Sequence, residues 1–181
     1  ATEGHSKNQL EMMSAFQDLV RDGVQSWKYF CVGGLGDSRG DLEYFERVLS
    51  LGAKCGAETV ANGKRRSLRT LYEKAKIFWH AAGYGAGEHQ PELLEHFGIA
   101  TVEAMAAGCV PIVFNNGGQT EVVEHGLNGF LWNTIHELKA YTVLVAKDEA
   151  LRGRLSASAR ARAQLFNKSR FLRQFRRLLA L

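Results

Sequence analysis

The chain has 181 residues, of which 45% are hydrophobic and 23% charged, and its formal net charge is +4 at pH 7. This length and balance predict one globular domain over residues 1–181 with a core of its own, and they exclude an intrinsically disordered chain. No apolar run approaches the length of a transmembrane helix, so we expect no membrane span.

The excess of positive charge narrows the class of partner. A basic protein suits nucleic acid, an anionic membrane surface or a phosphorylated substrate. The sequence has neither a zinc-knuckle spacing nor the aromatic pattern of RNA-binding domains, so we do not expect nucleic acid as a partner. Many of the arginines lie in residues 148–181, which are predicted to form a basic, helical C-terminal segment.

The three cysteines indicate a reducing compartment. Cys31, Cys55 and Cys109 form neither an even disulfide framework nor a metal-binding spacing. Two of them fall in apolar, strand-like runs, where a free thiol behaves as a small hydrophobic side chain. They are therefore predicted to be buried thiols of a cytoplasmic protein.

The first predicted element is a helix over residues 6–21. Apolar residues recur with helical spacing from Leu10 to Val20, and Gly23 can end the helix. Lys7 lies at its start, where the helix dipole does not favour a cation. The residues alone therefore indicate an exposed lysine at the end of a helix.

Two strands and a helix follow. Residues 27–33 and 58–62 are short runs typical of strands. The glycine-rich residues 33–36 do not complete a dinucleotide-binding fingerprint, so we interpret them as a turn at the rim of a cleft. Residues 41–51 predict an amphipathic helix with four apolar residues on one side: Leu42, Phe45, Val48 and Leu49.

A run of three cations follows the second strand. The sequence Gly-Lys-Arg-Arg at 63–66 is typical of a solvated turn. Its position near the ends of strands would also let Arg65 or Arg66 approach a base or a phosphate. Ser67 is predicted to cap a helix over residues 68–74.

Residues 77–80 predict another buried strand, which ends at His80. This histidine either forms a hydrogen bond with a substrate or is a satisfied histidine of the core. A polar, glycine-rich insert over residues 84–94 has a length typical of ligand lids. The insert contains three side chains that could bind a metal, Glu88, His89 and Glu92. Their spacing is not that of a metal site, so we expect no metal.

Residues 95–108 carry the most informative pattern of the chain. Gly98 permits a tight turn that approaches a ligand closely. Good helix formers follow it and predict a helix over residues 99–107, which Gly108 ends. The first amides of a helix have no internal partner and lie at the positive end of its dipole, so this turn predicts a phosphate site.

Two glutamates flank this predicted phosphate site. Glu95 lies just before it, and Glu103 projects on the same side of the helix as the first turn. Carboxylates on both sides of a row of free amides suit a ligand with hydroxyls at both ends and phosphate between them. A nucleotide-sugar has that layout. His96 is expected to be structural or to support Glu95.

Residues 110–114 predict a strand with Pro111 near its beginning, where a missing amide is tolerated. A glycine turn leads into a second helix over residues 119–124, whose N-terminus could also bind an anion. A last strand ends at Trp132, and Thr134 is predicted to cap the next helix.

Strands that alternate with helices predict an α/β fold, a Rossmann-like doubly wound, mainly parallel sheet with helices on both faces. Ligands bind such sheets beyond the carboxyl ends of the strands. Four residues follow predicted strand ends: His80, Glu95, Gly98 and Gly118, which belongs to the glycine turn before the second helix.

The last predicted helix, residues 169–180, places apolar and cationic residues on opposite sides. Two interpretations remain open. The apolar side packs on the core as in many terminal helices, or it contacts a membrane surface or a partner.

The glutamate pair and its context resemble a known family. The spacing Glu-x7-Glu encloses Phe-Gly-Ile, and its second glutamate begins the sequence Glu-Ala-Met-Ala-Ala-Gly. This pattern resembles the family 4 glycosyltransferases of GT-B architecture. The variant Glu-His-Phe-Gly-Ile resembles a bacterial subgroup and the mannosyltransferases of glycan-lipid assembly. The resemblance runs from about Gly4 to the C-terminus and covers the C-terminal, donor-binding half of that architecture.

The resemblance implies a role for each matched residue. Glu95 would be catalytic and hold donor-sugar hydroxyls, and Glu103 would hold the nucleotide ribose. Lys7 would help the amides of Gly98 and Ile99 to hold the diphosphate. The remaining donor-binding positions would be Phe97 and the glycines of a Gly-Gly-x-x-Glu pattern, Gly117 and Gly118. The donor would be a UDP-, GDP- or ADP-sugar, with no metal and no cofactor.

Three functions follow as expectations. The first is donor binding in a retaining glycosyltransferase, incomplete here because the acceptor-binding domain and an arginine-bearing first strand are expected to be missing. The second is a non-catalytic module that binds a nucleotide or nucleotide-sugar. The third is a cytoplasmic domain that the basic C-terminal helix anchors at the inner membrane face. A glycosidase is disfavoured, because glycosidase carboxylates face each other across one bond.

Overall fold

The computed structural model describes residues 7–24, 26–86 and 89–179. Ser6, Glu88 and Ala180, which belong to predicted segments, lie outside these ranges. The helices and strands, in chain order, are α1 Gln9–Arg21, β1 Phe30–Gly33, α2 Arg39–Cys55, β2 Glu58–Ala61, α3 Arg65–Lys74, β3 Ile77–His80, α4 Ile99–Ala107, β4 Val110–Phe114, α5 Gln119–Val122, β5 Phe130–Trp132, α6 Ile135–Lys147, α7 Glu149–Ala163 and α8 Lys168–Leu179. Two 3₁₀ turns, Pro91–Leu93 and Gln164–Phe166, precede α4 and α8.

The strands form two parallel sheets. β1 pairs with β2, and β4 lies between β3 and β5. The rings of Tyr29 and Trp79 contact each other at 5.3 Å between centroids and join the two sheets. Parallel strands with helices on both sides confirm the predicted α/β, Rossmann-like fold.

β4 is the centre of the core because both of its faces are buried. Ile112 packs with Trp132 and Leu138 in one apolar cluster. Val113, the next residue, packs with Met105 in another cluster, beneath α4 and α7. Successive side chains of a strand point to opposite faces, so an unbroken apolar run is what a strand covered on both sides requires.

Some element boundaries agree closely with the sequence. β3, α4 and β4 have the predicted limits. Thr134 caps α6 as expected, since its hydroxyl accepts from the Glu137 amide at 3.2 Å and the Glu137 carboxylate accepts from the Thr134 amide at 3.3 Å. The three cysteines are buried free thiols, as predicted.

The predictions for α2 and α3 were wrong in detail. α2 buries Tyr44 and Val48, whereas Leu42 and Leu49 are exposed. α3 begins at Arg65 after Lys64, so Ser67 lies inside this helix and does not cap it. The apolar spacing of α2 fits two overlapping stripes, and the position of α1 selects the one that contains Tyr44.

The apolar side of α8 does not pack on the core. None of the described residues of this helix is buried, and Phe171, Leu178 and Leu179 are 62%, 69% and 70% exposed. The core-packing interpretation is therefore wrong. Among the described helices, none is long and apolar enough to cross a bilayer.

Candidate functional site

The N-terminus of α4 is a free helix end that follows β3 and its connecting loop. Gly98 has φ of 91°, and a Cβ atom there would lie 2.9 Å from the Gln119 amide nitrogen, so the turn needs glycine. The first bond of the helix runs from the Val102 amide to the Gly98 carbonyl at 3.0 Å. The amides of residues 99–101 therefore precede the helical ladder, and amides in this position suit an anion.

Glu95 lies beside this helix end and is held by three donors. The Lys7 ammonium is 2.8 Å from Oε2, and the His80 Nε2 atom is 3.2 Å from the same oxygen. The Gly98 amide donates to Oε1 at 3.2 Å. Burial acts to raise the pKa of Glu95, but Lys7 and the other donors outweigh it and hold this pKa below its ordinary value. Glu95 is therefore a carboxylate.

His80, the last residue of β3, is only 9% exposed and contacts Glu95 directly. Burial lowers the pKa of His80 from its ordinary 6.5 to about 4, although the Glu95 carboxylate opposes this change. The imidazole is neutral at physiological pH. His96, expected to be structural or to support Glu95, is exposed, and the imidazole that contacts Glu95 is that of His80.

Asn8 places Lys7, and sequence reasoning missed it. Its backbone has φ of 54°, its side chain is buried, and its Nδ2 atom donates to the carbonyls of Ala81 at 2.8 Å and Tyr84 at 2.9 Å. The start of α1 is thus fixed to the loop that follows β3. An asparagine directly before an amphipathic run was the available signal, because asparagine tolerates this left-handed conformation.

Gly117 and Gly118 act by close packing against the loop that carries Glu95. The Gly118 amide donates to the Glu95 carbonyl at 2.7 Å, and a Cβ atom there would lie 2.7 Å from the Phe97 Cα atom. A Cβ atom at Gly117 would overlap the Glu95 carbonyl oxygen, and its amide donates to Asn116. Both amides are used inside the protein.

α5 is only four residues long and is held by α7. The Arg162 guanidinium donates to the carbonyls of Glu121 at 2.7 Å and Val122 at 3.2 Å. It also lies 5.5 Å from the Phe166 ring, which contacts the Phe97 ring at 5.7 Å. Contacts from α7 and the turn after it therefore support the Glu95 loop and α5.

The second glutamate lies near the start of α3. Glu103 is partly exposed on α4, and its Oε1 atom is 4.0 Å from the Arg65 guanidinium. Arg65 and Arg66 form the exposed first turn of α3 rather than a turn before it. Phe97 and Ile99, on either side of Gly98, are 43% and 65% exposed.

The predicted residues fall into two groups. Lys7, His80 and Gly98 each contact Glu95. Gln119, which the sequence did not indicate, contacts His80. Glu103 and Arg65 form a second pair on the neighbouring helices. Within the described ranges, no three histidine, cysteine, aspartate or glutamate side chains are grouped as metal ligands would be.

The parallel sheets and the free helix end flanked by acidic residues define a Rossmann-like ligand-binding domain. The chain belongs to the family described as glycosyl transferases group 1, whose sequence profile matches residues 3–162.

Solved structures share this fold. HepE from Anabaena in complex with UDP superposes with a TM-score of 0.77 and 22% identity, over 99% of this chain and 47% of that chain. The C-terminal domain of LpcC, a group 1 glycosyl transferase from Francisella tularensis, gives 0.70 and 17%, over 88% and 78% of the two chains.

Curated relatives match over shorter stretches. A Dictyostelium discoideum GDP-Man:Man(3)GlcNAc(2)-PP-Dol alpha-1,2-mannosyltransferase is 38% identical over 84 residues, 45% of this chain and 16% of that protein. Sucrose synthase 2 from Pisum sativum is 41% identical over 87 residues, 46% of this chain and 11% of that protein. The matches thus cover less than a fifth of either relative.

The buried histidine makes stability depend on pH. Since the pKa of His80 is lowered on folding, the unfolded chain binds a proton that the folded chain rejects, and stability falls as pH drops from the ordinary 6.5 toward about 4. Denaturant unfolding between about pH 7 and pH 4 should show a smaller loss for His80→Gln than for the unchanged chain. His136→Gln, at an exposed site, is the control and should behave like the unchanged chain. Equal losses of stability in the unchanged chain and both variants would contradict the lowered pKa of His80.

Proposed function

We propose that this chain is the donor-binding domain of a retaining glycosyltransferase that moves a sugar from a nucleotide-sugar to an acceptor hydroxyl. The observation that carries the proposal is the Lys7–Glu95 ion pair beside the free N-terminus of α4. It brings a cation, a carboxylate and unpaired helix amides to one place. HepE, which shares the fold, has been crystallised with UDP and with UDP-glucose.

The diphosphate would lie at the start of α4. The amides from Ile99 to Thr101 and the positive end of the helix dipole suit an anion. Lys7 would exchange part of its contact with Glu95 for phosphate oxygens, since its side chain is 55% exposed and long enough to move. In this structure the Gly98 amide donates to Glu95, so the later amides carry more of this role than expected.

The two glutamates would bind the two ends of the donor. Glu103 would accept from ribose hydroxyls, and the neighbouring Arg65 would lie on the nucleotide side, with Arg66 one residue further along α3. Glu95 would hold sugar hydroxyls and orient the anomeric carbon. The helix amides and Lys7 would stabilise the leaving diphosphate electrostatically. The acceptor hydroxyl would attack the anomeric carbon from the side of this leaving group. No metal and no cofactor enter this scheme.

Nucleotide binding tests this proposal. Calorimetric titration with UDP, GDP and ADP should show selective binding of one nucleotide, and Glu103→Gln should weaken it about tenfold through loss of a charged hydrogen bond. Glu46→Gln, exposed on α2, is the matched control and should leave the affinity unchanged. Binding of no nucleotide, or equal affinity in the Glu103 and Glu46 variants, would contradict the proposed site.

The acceptor side lies outside the proposed role of this domain. HepE is about twice as long as the part that this chain matches. We therefore expect the purified 181-residue chain to bind the donor but to transfer little or no sugar. A transfer assay with UDP-glucose or GDP-mannose and a simple acceptor measures this. Sustained turnover that Glu95→Gln abolishes would contradict the expected incompleteness.

The alternative, a non-catalytic nucleotide-binding module, predicts equally tight binding of nucleotide and nucleotide-sugar.

We also propose that α8 contacts an anionic membrane surface at the cytoplasmic face. The helix has five cationic residues and no acidic one, and its apolar side is exposed. An amphipathic helix of this composition binds anionic lipid through both features.

Vesicle sedimentation tests the membrane contact. The chain should bind vesicles that contain phosphatidylglycerol and should not bind pure phosphatidylcholine vesicles. Binding should survive Glu103→Gln but be lost in Phe171→Ser/Leu178→Ser, with Gln174→Ser, which exchanges one exposed polar side chain for another, as the control. Absence of binding, or self-association through α8 instead, would refute the membrane contact.

A further inference from the structure

The Glu95 carboxylate is held by donors from three parts of the structure. A carboxylate offers about four acceptor positions, and Lys7, His80 and the Gly98 amide fill three of them. In the proposed function on which this inference rests, Lys7 turns toward the diphosphate. His80 and Gly98 are then the described donors that continue to hold the Glu95 carboxylate.

The surroundings of His80 fix which nitrogen carries its proton. The Ala82 amide, which can only donate, points at Nδ1 from 3.4 Å. The Gln119 side-chain amide nitrogen also lies 3.3 Å from Nδ1. Nδ1 is therefore the acceptor, and a neutral imidazole must carry its proton on Nε2, from which it donates to Glu95.

Gln119 is itself held tightly. It is 1% exposed, it is the first residue of α5, and its side chain packs against the Gly98 turn. Its buried Oε1 atom has no partner within the described part of the chain, so the amide group keeps an unsatisfied oxygen while its nitrogen faces His80. A buried polar group normally has a partner, and an unsatisfied one destabilises the fold. The unsatisfied oxygen therefore indicates that the contact of the amide nitrogen with His80 is important.

We infer that Gln119 and His80 are positioning residues for Glu95: the amide of Gln119 and the backbone of Ala82 fix the imidazole, and the imidazole fixes the carboxylate that meets the donor sugar. Neither side chain is required to touch the ligand. The sugar-binding geometry of Glu95 would then persist while Lys7 serves the diphosphate.

The proton position can be measured without any ligand. Nitrogen-15 NMR of the imidazole should show His80 protonated on Nε2 and not on Nδ1 at neutral pH. Gln119→Leu should shift the Nδ1 resonance, because one of its two donors is removed, whereas the exposed Gln174→Leu should shift neither resonance. A proton on Nδ1, or no response to Gln119→Leu, would overturn the inference.

Binding of UDP and UDP-glucose to the 181-residue chain tests the consequence. His80→Leu should weaken UDP-glucose about tenfold, the size expected for one hydrogen bond to a charged group, and leave UDP within about twofold. His80→Gln, which can still donate toward Glu95, should recover most of the loss. Equal weakening of UDP and UDP-glucose would overturn the inference.

A double-mutant cycle tests the order of the contacts. Gln119→Leu should weaken UDP-glucose binding in the unchanged chain but have no further effect in the His80→Leu variant. Additive effects would overturn the relay. Failure of the unchanged chain to bind any nucleotide would count against the proposed function, whereas the NMR measurement would still support or overturn the positioning roles.

Discussion

Keeping one partly buried carboxylate charged is the constraint on which this structure depends. Glu95 lies in the loop between β3 and α4, and burial alone would favour its neutral form. Its charge is compensated by Lys7 from the segment before α1 and is stabilised by hydrogen bonds from His80 at the end of β3 and from the Gly98 amide at the start of α4. Three parts of the chain that are distant in sequence must therefore meet within hydrogen-bond distance. Much of the local backbone serves that meeting, since Asn8 and Gly118 each fix one of the segments.

The sheet supplies the rigidity that the contacts around Glu95 require. β4 is buried on both faces, and β3 beside it ends at His80. A strand packed on two sides has little freedom to shift, because both apolar clusters would lose contacts at once. The side chain at the end of β3 is therefore placed by the core, and the loops that follow need only a few polar contacts to bring Glu95 to it. Catalytic geometry on rigid elements is more precise than geometry on loops alone.

The sequence predicted the centre of the fold better than its periphery. β3, α4 and β4 were placed correctly because Gly98, Gly108 and the apolar strands mark the boundaries strongly. α2 was misjudged because two apolar stripes overlap, and only the packing of α1 distinguishes them. At the site, the glutamates and Lys7 were singled out through the family resemblance, but their mutual contacts were not predicted, since a resemblance carries no information on which donor reaches which oxygen. Asn8 and Gln119 were missed because their roles depend on partners more than 35 residues away.

The support of α5 by α7 has a consequence for how this domain can be divided. A helix of four residues does not hold its shape alone, and here the guanidinium of Arg162 fixes its last carbonyls. The basic segment after residue 148 is therefore not a detachable tail. Arg162 in α7 contacts α5, and Phe166 in the turn after it contacts Phe97, whereas α8 has no buried residue. A minimal version of the domain could end after the Gln164–Phe166 turn. A version that ended before α7 would lose the contacts of Arg162 with α5.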